Sequence, residues 1–237
     1  MKKIPANWFC DYSRHYGVKP DETGAVDAAF VRKALRLKAG DSLLDAPCGA
    51  GRLSVPLAQA GIYVTGVDLT RSYLRRARAR FGRNGLRGKF VHLDLRAIDF
   101  QGEFDAVLNW GGSFGFFSEA ENLDVVRRYA VSLRPGGRLL IDQPGREYLL
   151  RHFRRRGRYG DAEYRVRWNR RQQRFETHFR NVKSGESWAM TIRSYTPAQF
   201  GRLFRQAGLE VEAFYSDLSG RRYTRGARRL YVLGRRR

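Results

Sequence analysis

The sequence predicts an α/β fold, a mostly parallel sheet with helices on both faces. Three observations lead there. Short apolar segments alternate with segments of helical spacing over residues 41–144. The first four apolar segments each stop at an acid or an amide: Asp45, Asp68, Asp94 and Asn109. The first of them runs straight into a glycine loop that opens a helix, Asp45-Ala46-Pro47-Cys48-Gly49-Ala50-Gly51-Arg52.

Residues up to about Pro20 are an aromatic-rich lead-in. Asp21 to Leu37 has helical spacing, with Val26, Phe30, Ala34 and Leu37 on one stripe. A turn at Ala39-Gly40-Asp41 precedes the first strand, Ser42 to Ala46. Helix Arg52 to Ala60 closes at Gly61, and strand Tyr63 to Val67 ends at Asp68. A basic helix spans Ser72 to Phe81, with Thr70 or Ser72 as its cap. Strand Lys89 to Leu93 ends at Asp94, and strand Phe104 to Asn109 ends at Trp110. Helix Glu119 to Leu133 passes through the turn Arg134-Pro135-Gly136-Gly137 into strand Arg138 to Gln143.

The periodicity then changes. After a basic helix, Arg146 to Arg155, the segments Ala162–Trp168, Arg174–Asn181 and Trp188–Ser194 alternate like antiparallel strands. Thr196-Pro197 starts a helix that runs to Ala207 and stops at Gly208. Strands Leu209 to Tyr215 and Arg228 to Leu233 finish the chain. The divisions read are 1–40, a helical lead-in or lid; 41–144, a ligand-binding core; 145–195, a β-rich cap inserted after the fifth strand; and 196–237, the last helix and two strands.

With 237 residues, 42% of them hydrophobic, the chain suits one domain with such an insertion. A mean hydropathy of −0.56 and the lack of a long apolar run predict no membrane span. The basic start, Met1-Lys2-Lys3-Ile4, has no apolar signal core, so a cytoplasmic location is expected. Cys10 and Cys48 give neither a disulfide framework nor metal spacing. The net charge of +23 is mostly arginine, with ten Arg between Arg151 and Arg174 and eight from Arg221 to Arg237. Such a field attracts nucleic acid or acidic substrates, although an arginine-rich composition also produces it without function.

In open α/β sheets ligands bind in the crevice at the carboxyl ends of the strands, and four polar strand ends beside a glycine loop are more than helix capping needs. At these residues the sequence resembles the class I S-adenosylmethionine-dependent methyltransferases, small bacterial type with a β-rich cap. Leu43 to Arg52 is similar to that family's first motif and Val64-Thr65-Gly66-Val67-Asp68-Leu69 to its second strand. Phe104-Asp105-Ala106-Val107-Leu108-Asn109 is similar to its fourth strand, and Leu133 to Leu140 to its Pro-Gly-Gly turn. Pro47 departs from the family, standing where many members have a glycine. The resemblance implies a Rossmann-like seven-stranded sheet and S-adenosylmethionine as cofactor. It also implies roles for particular residues. Asp45, with Pro47 and the backbone of Gly49 and Gly51, holds the methionine end; Asp68 accepts both ribose hydroxyls; Leu69 packs on the adenine. Asp94 accepts from the adenine amino group, the Leu95 N–H bonds a ring nitrogen, and the Asn109 carbonyl reaches the methionine ammonium.

A dinucleotide dehydrogenase is the rival reading, but Gly49-x-Gly51-x-x-Ser54 lacks the third glycine of that fingerprint. Methyl transfer from a sulfonium is an in-line displacement in which alignment supplies much of the rate, so no base is required by pattern; His15, His152 and His178 are the candidates. Expected acceptor contacts are Trp110, Ser113 and Phe114 in a glycine- and aromatic-rich loop, Tyr12 and Tyr16 near the start, Arg193 and Tyr195 in the cap, and Tyr223. The loop after Asn109 resembles that of enzymes acting on metabolites or peptide amines, and it lacks the Asn/Asp-Pro-Pro-Tyr/Phe signature of base-amine methylation. The expected acceptor is a small molecule or small peptide, anionic or aromatic. The alternative is an RNA-associated methyltransferase, or a non-catalytic nucleic-acid-binding protein using the arginine-rich second half.

Overall fold

In the computed structural model, residues 24–237 are described. A helix α1 (Gly24–Leu35) leads into a seven-stranded sheet. Its strands are β1 (Ser42–Asp45), β2 (Tyr63–Asp68), β3 (Lys89–His92), β4 (Phe104–Asn109), β5 (Leu133–Pro144), β10 (Leu209–Tyr215) and β11 (Arg229–Arg236). They lie in the order β10-β11-β5-β4-β1-β2-β3. Neighbours from β5 to β3 are parallel, and β11 and β10 join antiparallel. Helices α2 (Ser54–Gln59), α3 (Arg71–Arg83), α4 (Glu119–Ser132) and α6 (Pro197–Gln206) cover the faces, with α5 (Arg146–His152) after β5. The expected fold class is therefore the observed one. Among the described residues no helix is long and apolar enough to cross a membrane.

Strand side chains point alternately to opposite faces, and here both faces are buried. Leu43, Leu108 and Leu140 join one core with Val31 and Leu57; Leu44, Val107 and Ile141 join the other with Val126 and Phe200. Each fully buried side chain of this size contributes about 1.5–3 kcal/mol, so the register of β1, β4 and β5 is held from both sides. The inner stripe of α1 runs through Ala28, Val31 and Leu35. Val26, expected on that stripe, stands about 200° from Ala28 around the helix and is exposed.

Three further differences from the sequence reading have local causes. β3 ends at His92, so Asp94 lies on the loop beyond, where it caps a 3₁₀ turn, Leu95–Ala97. The Pro-Gly-Gly segment is a bulge inside β5: Leu133 pairs with Phe104, and the next pair is Arg138 with Ala106. Thr70 occupies the N-cap of α3 but makes no capping bond; its hydroxyl is bonded to Asp68 instead. The caps of α4 and α6 are full capping boxes, Ser118 with Glu121 and Thr196 with Gln199.

The cap is a four-stranded antiparallel sheet, β6 (Arg156–Tyr159), β7 (Ala162–Asn169), β8 (Arg174–Asn181) and β9 (Ser187–Arg193), paired in that order. β6 has no alternation to reveal it: Arg-Gly-Arg-Tyr offers one large apolar side chain. One face is aromatic, with Trp168 against Phe175, Phe175 against Phe153, and Phe179 stacked on Trp188. The other face is polar and turns toward the carboxyl ends of the core strands.

Candidate functional site

The parallel strands leave a crevice where the order reverses between β1 and β4. A cleft of about 2230 Å³ opens there, with the loops after β1 to β4 on one side and the polar face of the cap on the other. Ligand pockets commonly measure roughly 300–1,000 Å³, so this one has room for two ligands.

The loop after β1 is tied to both neighbouring strands. The Cys48 N–H donates to the Val67 carbonyl at 2.9 Å, and the Ala46 N–H to the Leu108 carbonyl at 2.9 Å. The Ala46 carbonyl accepts from Asn109 Nδ2 (3.1 Å) and the Tyr129 hydroxyl (2.8 Å). Gly49 has φ +55° with open space where a Cβ would stand; Gly51 has φ +77° and would place a Cβ 3.2 Å from that of Ala77. The first glycine lets the backbone face the cleft, and the second lets the loop sit on α3.

Asp45 is 2% exposed and its Oδ2 accepts from Ser54 Oγ at 2.7 Å. Burial pushes its carboxyl up to about 7, the Ser54 bond pulls it back, and the nearby Asp68 charge raises it again. The Arg52 charge is the smallest of these influences, and among the described residues Asp45 has no ion-pair partner; a buried carboxylate so placed at a cleft suits an ammonium ligand. Asp68 is 6% exposed; Oδ2 accepts the Gly49 N–H (2.8 Å) and Oδ1 the Thr70 N–H (2.7 Å). Burial raises its pKa, and these backbone bonds oppose the rise. A carboxylate has about four lone-pair sites; with the Thr70 hydroxyl also bonded to it, Asp68 keeps one for a ligand hydroxyl and gains a second when the Thr70 hydroxyl turns away. These residues fit a ligand with an ammonium at one end and a diol further along.

Asp94 is differently engaged. Arg96 grips it through Nε and Nη2 at 3.1 and 2.8 Å and also bonds Glu121 at 2.8 Å, with the guanidinium 4.6 Å from the centre of the Phe117 ring. Burial raises the Asp94 carboxyl, but the Arg96 bonds outweigh it and hold the group below its ordinary value. The Ser118 hydroxyl and N–H, then Arg96, pull Glu121 down to about 2.

Of the expected cofactor residues, Asp45, Pro47, Gly49, Asp68, Leu69, Asp94 and Leu95 line the cleft. Gly51 packs on α3, and the Asn109 side chain is buried beneath Ala46 with Oδ1 unpartnered among the described residues. Trp110 and Ser113 line the cleft. Trp110 stacks on Tyr231 at 5.2 Å, and its Nε1 donates to Asp27 Oδ2 at 3.1 Å.

Four expected acceptor contacts lie elsewhere. Phe114 and Tyr195 are 2% exposed and pack together with Phe200 in the second core. Arg193 is buried, bonded to Glu119 at 2.6 Å and to the Ser194 carbonyl at 2.6 Å. Tyr223 packs on that core, and its hydroxyl donates to Glu147 at 3.2 Å. Each was expected at the site because of its position after a strand or in the cap, and each is instead used to dock the cap and neighbouring loops onto the core. The Arg193 N–H and the Arg174 side chain both bond the Gly115 carbonyl, which holds the loop after β4 in place. His152 is exposed and stacked on Tyr148, away from the cleft, whereas His178 lines it. Tyr12, His15 and Tyr16 lie outside the described residues.

From the sequence no binding role was expected of Thr70, Tyr73, Arg96, Phe116, Phe117 or Glu121, all of which line the cleft. The Ser118-x-x-Glu121 capping box was a legible signal for where α4 begins, and so for which residues precede it at the strand edge. Among the described residues no cluster of His, Cys, Asp and Glu is placed to hold a metal.

A family model described as a methyltransferase domain matches residues 43–137. The ubiquinone biosynthesis O-methyltransferase of Ruegeria pomeroyi is 32% identical over 176 residues, 73% of this chain and 61% of that protein. The glycine/sarcosine N-methyltransferase of Halorhodospira halochloris is 28% identical over 135 residues, 56% of this chain and 50% of that protein. This chain spans from about a fifth to about three fifths of the length of the curated relatives it matches. Among solved structures, the CcbJ methyltransferase of Streptomyces caelestis superposes with a TM-score of 0.75 at 19% identity, over 94% of this chain and 100% of that one. The S-adenosylmethionine-bound amino pentose methyltransferase of Micromonospora echinaspora gives a TM-score of 0.62 at 22% identity, over the full length of both chains. Residues 43–137 thus match a methyltransferase domain, and the glycine loop, strand-end acids and seven-stranded sheet give the chain the fold of class I S-adenosylmethionine-dependent methyltransferases.

Proposed function

We propose that the protein transfers a methyl group from S-adenosylmethionine to a small-molecule or small-peptide acceptor held between the strand edge and the cap. The observation that carries this reading is the pairing of Asp45, buried and in no ion pair among the described residues, with Asp68, which lines the same cleft. When bound, the cofactor supplies an electrophilic methyl on a sulfonium. Asp45 and the Gly49 backbone hold the methionine end, helped by the Gly51 turn and the Asn109 carbonyl. Asp68 accepts the ribose hydroxyls and Leu69 packs on the adenine, with the Leu95 N–H bonding a ring nitrogen. Asp94 accepts from the adenine amino group through a lone pair left by Arg96.

What the chain contributes to the displacement is alignment and a water-poor cleft. Trp110, anchored on Asp27 and Tyr231, walls the side where the acceptor approaches. Of the candidate bases His178 lines the cleft, but it stands on the cap opposite Arg165, on the far side from Asp45 and Gly49, and is given no part in the displacement. The small acceptor is supported by the names of similar proteins, which cite glycine/sarcosine, an amino pentose and didemethyltoxoflavin.

Calorimetric titration with S-adenosylhomocysteine tests the cofactor reading. Micromolar binding that is lost in Asp68→Ala is expected, and no binding at millimolar concentration would falsify it. Labelled cofactor offered with a small-metabolite extract and, separately, with total RNA tests the acceptor. Label is expected in the small-molecule fraction; label in RNA establishes the nucleic-acid alternative.

A further inference from the structure

The polar face of the cap has a charge pattern that folding does not call for. Arg156 stands directly opposite Arg165 across the β6–β7 ladder, and Arg165 directly opposite His178 across β7–β8. Side chains so paired have Cβ atoms about 4.5–5.5 Å apart, and like charges there are destabilising. In the adjoining row Arg180 faces Glu163.

Of the nearby acids, Glu163 lines the cleft between Arg158 and Arg180, its cross-strand neighbours, and two others are held elsewhere. Glu176 is held by Arg167 at 2.6 Å and Asn169 at 2.7 Å, and Asp161 by Lys183 at 3.0 Å. Among the described residues Arg156, Arg165 and Arg180 make no ion pair, and all three line the cleft with His178. Exposed arginines such as Arg75 and Arg76 on α3 stand outside it. In a concave site, by contrast, low-dielectric walls focus the field of converging cations on whatever enters.

Building on the methyltransferase reading, we propose that the acceptor carries a phosphate group and that Arg156, Arg165 and His178 bind it, with Arg180 beside them. A guanidinium presents paired N–H donors that match two phosphate oxygens, and such charge-assisted bonds are short and strong. A dianion between Arg156 and Arg165 turns their mutual repulsion into a shared attraction. The row lies on the cap and Asp45 and Gly49 on the opposite side, so the phosphate is at the end of the acceptor remote from the methylated atom. The size of the cleft suits such an elongated molecule beside the cofactor. A polynucleotide would instead draw on the basic exterior, including Arg75 and Arg76.

The test is titration of the full chain with pyrophosphate at about 0.15 M salt, where exposed charges are largely screened beyond about 8 Å. The variants are the double substitution Arg156→Ala/Arg165→Ala and the control Arg75→Ala/Arg76→Ala. S-adenosylhomocysteine affinity is measured on each preparation. The expected result is pyrophosphate binding that falls at least about tenfold in the cleft variant and stays unchanged in the control, with S-adenosylhomocysteine affinity kept in both. Equal loss in both variants, unchanged binding in the cleft variant, or tighter binding of a single-stranded RNA that both variants weaken alike overturns the phosphate site. Failure of wild-type protein to bind S-adenosylhomocysteine while pyrophosphate binding behaves as expected overturns the methyltransferase reading and leaves the anion site standing.

Discussion

The Ser54 hydroxyl donates to Asp45 Oδ2 at 2.7 Å, from the first turn of α2 to the end of β1. Among the described residues it is the one side-chain hydrogen bond to a carboxylate that is almost fully buried. Because burial raises the folded pKa to about 7 from 3.8, the folded state keeps a proton that the unfolded chain has released. Stability from this group is therefore present below pH 4 and lost as pH rises to about 7, by roughly 4 kcal/mol. Asp45→Asn removes the dependence. We expect its Tm at pH 8 to exceed the wild type's by about 8 °C, while S-adenosylhomocysteine binding is abolished. A thermal melt at pH 4 and at pH 8 checks the first outcome and calorimetry the second.

The same shift links cofactor affinity to pH. An ammonium beside Asp45 favours the ionised carboxyl, so binding releases a proton. Affinity is expected to fall about tenfold per pH unit below 7 and to level off above it. Titrations in buffers of different ionisation enthalpy measure the proton count; a count of zero at pH 6 contradicts the role given to Asp45.

At Asp68, substitution by Asn should weaken cofactor binding at least about tenfold, since one of the two acceptors becomes a donor facing a backbone N–H. Asp68→Ala leaves the Gly49 and Thr70 N–H groups without partners and should also cost about 2–4 kcal/mol of stability. Denaturant titration alongside calorimetry separates the two effects.

Gly51→Ala meets two obstacles, a positive φ and a Cβ 3.2 Å from Ala77. About 1–3 kcal/mol of destabilisation is expected from the left-handed conformation and the contact. At Gly49, where a Cβ has open space, Gly49→Asn should cost less than about 1 kcal/mol because Asn tolerates that region. Equal losses at the two positions would contradict this account of the loop.

Asp27 Oδ2 accepts from both Arg52 and Trp110, at 2.7 and 3.1 Å, and so joins α1 to the loops after β1 and β4. Asp27→Ala should lower stability by about 1–2 kcal/mol and speed amide exchange in the loop at residues 110–118. Hydrogen-exchange mass spectrometry reads that loop directly; unchanged protection there would show that Trp110 is held by Tyr231 alone.

Continuous apolar runs such as Leu43-Leu44 and Ala106-Val107-Leu108, and stops such as Gly61 and Gly208, are local properties of the chain, so the strands, helices and strand-end acids were legible from the amino acids. So was the crevice, because polar strand ends and a glycine loop can meet only at one edge of a parallel sheet. Arg193, Tyr195 and Phe114 could not be placed that way: an aromatic or an arginine beside a strand end reads the same whether it faces a cleft or a core. Their burial depends on how the cap docks, through pairs such as Arg193–Glu119 that are 74 residues apart.

The loop with which the fold begins shows the same division. Asp45 and its glycines were identifiable as a ligand loop from spacing alone. That Asp45 is desolvated, that Asp68 is braced by the Gly49 N–H, and that Arg156 meets Arg165 over the cleft was decided by tertiary structure, because burial and cross-strand register arise only when distant segments pack.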